Sequence, residues 1–200
     1  MYQKFIKRLL DFSLSFIGLI FLIPVFLIIA FLVKKEDGGS VFFRQTRVGQ
    51  NGKLFKIYKF RTMVEDAEKL GALVTREKDP RITKIGKLLR KYKLDELPQL
   101  INVLKGEMSL VGPRPEVPKY VKLYKEKYEK ILKVKPGITD FAAVEFIDEE
   151  KILNDVENPE EVYLKEILPI KIKYYEKYIR EVGFLTDIKL IFKTIFRIFR

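Results

Sequence analysis

Two adjacent carboxylates, Asp95 and Glu96, stand in the stretch Lys93-Leu94-Asp95-Glu96-Leu97-Pro98-Gln99 of a 200-residue chain whose formal net charge is +12. An ionised aspartate is a competent nucleophile toward phosphorus when cations neutralise the target, and its oxygens are hard donors for Mg²⁺. Arg61, Arg81, Arg90 and Arg114 each fall near a turn or the end of an element. There a planar guanidinium can grip phosphate oxygens two at a time. Lys59 joins them as a phosphate-binding candidate, and nearby cations should favour the ionised form of Asp95. The pair also has a plainer reading: Asp-Glu before Pro opens many helices, with Asp as N-cap and Glu in the first turn. The chain has no His and no Cys. That removes a histidine base, a disulfide framework and a Cys-based zinc site.

The elements that must position these residues are legible in part. Val41 to Val48 and Leu54 to Phe60 are β-prone runs around Gln50-Asn51-Gly52, which predicts a hairpin. Helical spacing follows over Met63 to Leu73, then a turn at Asp79-Pro80-Arg81, a short basic helix over Ile82 to Tyr92, and another over Leu97 to Lys105 ended by Gly106. Tyr120, Tyr124, Tyr128 and Ile131 recur at helical spacing and read as core. Asp148-Glu149-Glu150 is a poor metal site, because consecutive acids fan around a helix; a solvated helix is expected.

Phe12 to Val33 is twenty-two residues without a charge, long enough to cross a ~30 Å hydrocarbon core. Basic residues flank it at both ends, Lys4, Lys7 and Arg8 before and Lys34 and Lys35 after, which holds both ends on the cytoplasmic side. Pro24 lies at its middle and removes one helical hydrogen bond. A re-entrant helix-break-helix is expected, against the alternative of a single-pass anchor with a kink. At the other terminus, Lys189, Lys193, Arg197 and Arg200 oppose Ile188, Ile191, Phe192, Ile195 and Phe199, the pattern of a basic helix in the membrane interface. The expected fold is mainly α with a short β-hairpin. Residues 1–35 form the membrane helix, 36–183 a compact cytoplasmic catalytic domain, and 184–200 the interfacial helix.

Taken together, "FFRQTRVGQNGKLFKIYKFRTM", "DPRITKIGKLLRKYKLDELPQLINVLKGEMSLVGPRP" and "KPGIT" resemble the bacterial sugar transferase family, the monotopic phosphoglycosyl transferases. The resemblance runs from the basic N-terminus to about Thr139. It implies transfer of a sugar-1-phosphate from a UDP-sugar to undecaprenyl phosphate, with Mg²⁺ and release of UMP, at the cytoplasmic face of the bacterial inner membrane. Asp95 would attack the β-phosphate and also hold the metal, with Glu96 as its partner. Arg90 and Arg114 match phosphate-binding positions, and Lys7 and Arg8 would meet lipid phosphate. Membrane phospholipids and downstream glycosyl transferases are the further partners implied, and nucleic acid is not. The chain departs from the family's pattern in two places: Ile23 stands where members often have Ser before the membrane proline, and Asp140-Phe141 follows "KPGIT" where many have Gly and an aromatic. Two rival readings are a transferase that moves only the sugar and releases UDP, and a non-catalytic basic protein of the membrane surface.

Overall fold

The computed structural model describes residues 2–67, 70–71, 74–154 and 156–198. A π-helical turn, Tyr2–Ile6, leads into α1, Lys7–Asp37. The antiparallel strands β1, Phe42–Val48, and β2, Leu54–Phe60, follow, paired from Phe42 with Phe60 to Val48 with Leu54. Asn51 and Gly52 take positive φ in the connecting turn, the conformation that the Asn-Gly signal predicts. Then come α2, Lys84–Lys91, a 3₁₀ turn, Leu94–Glu96, and α3, Gln99–Lys105, ended by Gly106 at φ 82°. A second small sheet pairs β3, Ser109–Val111, in parallel with β4, Gly137–Thr139. Between them lie α4, Pro118–Leu123, and α5, Lys125–Ile131. The remainder is helical: α6, Phe141–Glu145, α7, Glu149–Ile152, α8, Pro159–Val162, a π turn, Tyr163–Ile167, α9, Leu168–Glu181, and α10, Phe184–Ile198.

The tyrosine stripe does form core. Tyr120, Tyr128 and Ile131 are buried against Tyr163, Leu168, Ile172 and Tyr175, although the stripe is divided between α4 and α5. The helix expected over Met63 to Leu73 does not form at the described positions. Met63 makes an antiparallel bridge to Ile82, and Asp66 takes a positive φ that no helix accommodates. Glu68, Lys69, Ala72 and Leu73 lie outside the described residues, as do Phe199 and Arg200.

α1 runs continuously through Pro24. The two half-helices expected around the proline are therefore one helix, since losing a single internal hydrogen bond does not end the ladder. Both of its ends are held by the same body. Near the start, Arg8 donates to the carbonyls of Val103 and Leu104, and Asp11 Oδ1 accepts from Ser109 Oγ and the Leu110 amide at 3.1 and 3.0 Å. Near the end, Ile29 and Val33 are buried with Phe60 and Leu89. Phe21 and Leu27, on the outward side, are 77% and 67% exposed. The helix is long and apolar enough to cross a membrane, and so large an exposed apolar surface marks a contact with lipid or with another protein. α10 adds Leu185, Phe192 and Phe196 to the exposed apolar surface while Asp187 and Leu190 are buried.

Candidate active site

The 3₁₀ turn that carries Asp95 and Glu96 is entered through Lys93 in the left-handed conformation, φ 53°. This tight turn aims both carboxylates back at β2 instead of along α3. The N-cap position of α3 is Pro98, and Asp95 makes no capping bond. The helix-opening alternative for Asp95 is thereby excluded. Asp95 is 7% exposed, its Oδ1 is buried without a partner, and its Oδ2 lies 4.0 Å from Lys59 Nζ.

Glu96 has the opposite surroundings. Its Oε1 accepts from Lys59 Nζ at 2.7 Å, and Arg114 grips both oxygens, Nη2 to Oε1 and Nη1 to Oε2. Burial pushes both carboxyls up. At Glu96 the charges of Arg114 and Lys59 overcome it and hold the group well below the usual carboxylate range. At Asp95 burial prevails over Lys59, and the Glu96 charge adds to it, so the group is raised. The cations around Asp95 do favour its ionised form, as expected, but burial outweighs them, whereas at Glu96 the cations outweigh burial. Burial also lowers Lys59, while Glu96 raises Arg114.

Lys59 arrives from β2, and Arg114 from the loop after β3. That loop is fixed by Gly112, whose amide donates to Thr139 O, and by Gly137, whose amide donates to Pro113 O. A Cβ on Gly137 would fall within 2.6 Å of three backbone atoms of Gly112, so the close approach of the two chains requires glycine. Asp140 completes the loop. It is fully buried, its Oδ2 accepts from the Arg114 amide at 2.9 Å, and its Oδ1 caps α6 through the Ala143 amide at 2.6 Å. Sequence reading singled out Asp140 only as a departure; its signal was an N-cap residue ahead of "FAAVE".

The other candidate cations are committed elsewhere. Arg90 is near enough to favour the Asp95 charge, but its guanidinium donates to Glu150 at 2.6 Å and to Thr62 Oγ1 at 3.2 Å. Glu149 pairs with the buried Lys171 at 2.7 Å. The acidic run is therefore not simply solvated: two of its three acids face inward and hold cations, and Asp148 alone keeps an exposed partner, Lys151. Arg81 grips Asp79 and the Ala67 carbonyl, and Arg61 ties Asp37 at the end of α1 to the Ser40 and Met63 carbonyls. Lys7 pairs with buried Asp187, which also accepts from Tyr2 and Tyr178, and Arg8 serves the end of α3. Neither of the N-terminal cations places its head group beside Asp95.

A hard divalent cation fits this arrangement. Asp95 Oδ1 is without a partner and Oδ2 stands 4.0 Å from Lys59 Nζ, which leaves Oδ2 for a cation beside the unpartnered Oδ1, and Mg²⁺ commonly takes one or two protein carboxylates and completes its shell with phosphate and water. Both oxygens of Glu96 are already engaged, and among the described residues no three acids are grouped so that they could hold a metal ion.

The bacterial sugar transferase family model matches residues 2–200. The exopolysaccharide production protein ExoY of Sinorhizobium fredii (strain NBRC 101917 / NGR234) is 36% identical over 204 residues, covering 94% of this chain and 83% of that protein. The UDP-glucose:undecaprenyl-phosphate glucose-1-phosphate transferase of Escherichia coli (strain K12) is 39% identical over 200 residues, 98% of this chain and 40% of that one. An Aeromonas hydrophila UDP-N-acetylgalactosamine-undecaprenyl-phosphate N-acetylgalactosaminephosphotransferase is 38% identical over 196 residues, 96% of this chain and 43% of its own length. The chain thus spans less than half of the latter two relatives.

Proposed function

Given that the chain belongs to the bacterial sugar transferase family, we propose that it transfers a sugar-1-phosphate from a UDP-sugar to undecaprenyl phosphate through a phosphosugar intermediate on Asp95. The observation that carries this reading is the buried, unpartnered Asp95 Oδ1 beside a Glu96 already neutralised by Lys59 and Arg114. A carboxylate oxygen with nothing to accept from is under-solvated, and it gains by bonding to phosphorus. Asp95 Oδ1 attacks the β-phosphorus, the bond from that phosphorus to the bridging oxygen breaks, and UMP leaves with that oxygen. An oxygen of undecaprenyl phosphate then attacks the same phosphorus. The aspartyl bond breaks, the carboxylate is restored, and the diphosphate-linked sugar departs. Glu96 keeps Lys59 and Arg114 in place beside the anionic groups. Mg²⁺, when bound by Asp95, neutralises diphosphate charge.

The site reads as cytoplasmic and monotopic. What supports this is that both ends of α1 are held by one body, Arg8 and Asp11 at one end and Ile29 and Val33 at the other. A spanning helix would carry one end across ~30 Å of hydrocarbon. Cysteines introduced at exposed Gln3 and Lys35 are expected to react with an impermeant reagent from the same side of the membrane. Reaction from opposite sides would establish a spanning helix.

The reaction is tested by UMP release from the full chain in detergent with Mg²⁺, undecaprenyl phosphate and a panel of UDP-sugars. Asp95→Asn should lower the rate by about 10³-fold or more, as loss of a nucleophile does. UDP in place of UMP would mean transfer of the sugar alone, and full activity in the variant would end the covalent mechanism.

A further inference from the structure

Gly106 closes α3 in the left-handed conformation, and a Cβ built on it would lie 3.3 Å from Arg8 Nη2 and 3.5 Å from Lys135 Nζ. Two cations from distant parts of the chain therefore converge on one point that a glycine leaves open. Arg8 spends two donors on the Val103 and Leu104 carbonyls and retains others, since a guanidinium carries five N–H groups. Lys135, half-buried in the loop before β4, has neither a hydrogen-bond nor an ion-pair partner among the described residues. The acid within electrostatic reach, Asp11, already gives its Oδ1 to Ser109 and Leu110. Glu107, the next residue after Gly106, accepts from Asn102 at 2.7 Å. Burial, and then the Arg8 charge, pushes the Lys135 ammonium below its ordinary value. Like charges gathered without an acid between them are relieved by an anion from outside.

We propose that Arg8, Lys135 and the open face of Gly106 seat the phosphate of a bilayer phospholipid headgroup. A phosphate diester has two non-ester oxygens, one for each cation. Lipid is the occupant because the seat adjoins the start of the apolar helix, where Phe5 and Leu9 are 71% and 67% exposed. Lys105 and Arg44, at 4.7 and 4.8 Å from the Tyr58 ring, extend the basic surface with an aromatic residue, a composition suited to headgroup depth. The seat is at the far end of α3 from Asp95, about 10 Å of helix away, so its occupant is not the reacting acceptor. The inference rests on the membrane reading above but not on the transferase chemistry.

The test is thermal unfolding of the full chain in neutral detergent micelles doped with phosphatidylglycerol, which needs no activity. The wild-type midpoint should rise by about 2–4 °C, Lys135→Gln should lose most of the rise, and Lys135→Arg should keep it. Lys122→Gln, a change at an exposed lysine elsewhere, should respond as the wild type does. An undiminished rise in Lys135→Gln overturns the proposal. So does an equal rise from inorganic phosphate, which would make this a soluble-anion site, or a larger one from undecaprenyl phosphate at the same mole fraction, which would make it an acceptor seat.

Discussion

At the N-terminal end of α3, Lys59 and Arg114 face Glu96 at 2.7 Å or less, and Asp95 lies beside them. At its C-terminal end, Arg8 and Lys135 both approach the open face of Gly106, and among the described residues no carboxylate forms an ion pair with Lys135. The first end keeps its charge balance within the protein, and Glu96 holds its cations in place. The second leaves its balance to whatever anion comes from outside. A net charge of +12 says nothing about which end is which. The distinction is made by which acids reach which cations across the fold.

The largest loss at the balanced end, after that of Asp95 itself, is expected from Arg114→Lys. Lysine keeps the charge but not the fork that spans both Glu96 oxygens. Charge-assisted bonds of this kind contribute about 1.5–3 kcal/mol each. UMP release should therefore fall by about 10–100-fold. The pH profile should change as well. Burial alone would raise Glu96, and Arg114 is the foremost group holding it down. Weakening that grip moves the acid limb of activity toward higher pH. An acid limb left where it was, with activity unimpaired, would show that the Arg114 and Glu96 clasp has no part in the reaction.

The features legible in the sequence were local ones. Asn51-Gly52 gave the hairpin and its turn, Gly106 gave the end of α3, and the adjacency of Asp95 and Glu96 to a proline marked the chemistry. The apportioning of charge was not legible, because it depends on contacts between distant residues. Glu150 removes Arg90 from the site across 60 positions, and Arg114 reaches Glu96 across 18. Asp187 takes Lys7 inward across 180. The strands β3 and β4 are three residues each, too short for an alternating pattern, yet they hold the Arg114 loop. Pro24 does not interrupt α1, a helix held against the rest of the fold near both ends, and those contacts lie far from the proline in sequence.

The smallest effect predicted is on stability, and its sign separates the two carboxylates. Burial raises Asp95 above its unfolded value, so the folded state holds that proton more tightly. Between the ordinary aspartate pKa of about 3.9 and the raised folded value, the native protein binds more protons than the unfolded chain, and stability falls as pH rises. Above the folded value the full cost is present. Asp95→Asn removes the charge while Glu96 keeps Lys59 paired at 2.7 Å. The variant should therefore be more stable than the wild type at neutral pH, by about 0.5–2 kcal/mol. That advantage should shrink as pH is lowered and vanish below about pH 4. Glu96→Gln is expected to do the reverse, because a depressed carboxyl stabilises the fold above its unfolded value and stops doing so as pH falls through its folded one. Melting curves of the two variants from pH 4 to 8 would check both signs. A stabilised Glu96→Gln, or a destabilised Asp95→Asn at neutral pH, would mean that the cations serve Asp95 after all and that the roles of the two carboxylates are exchanged.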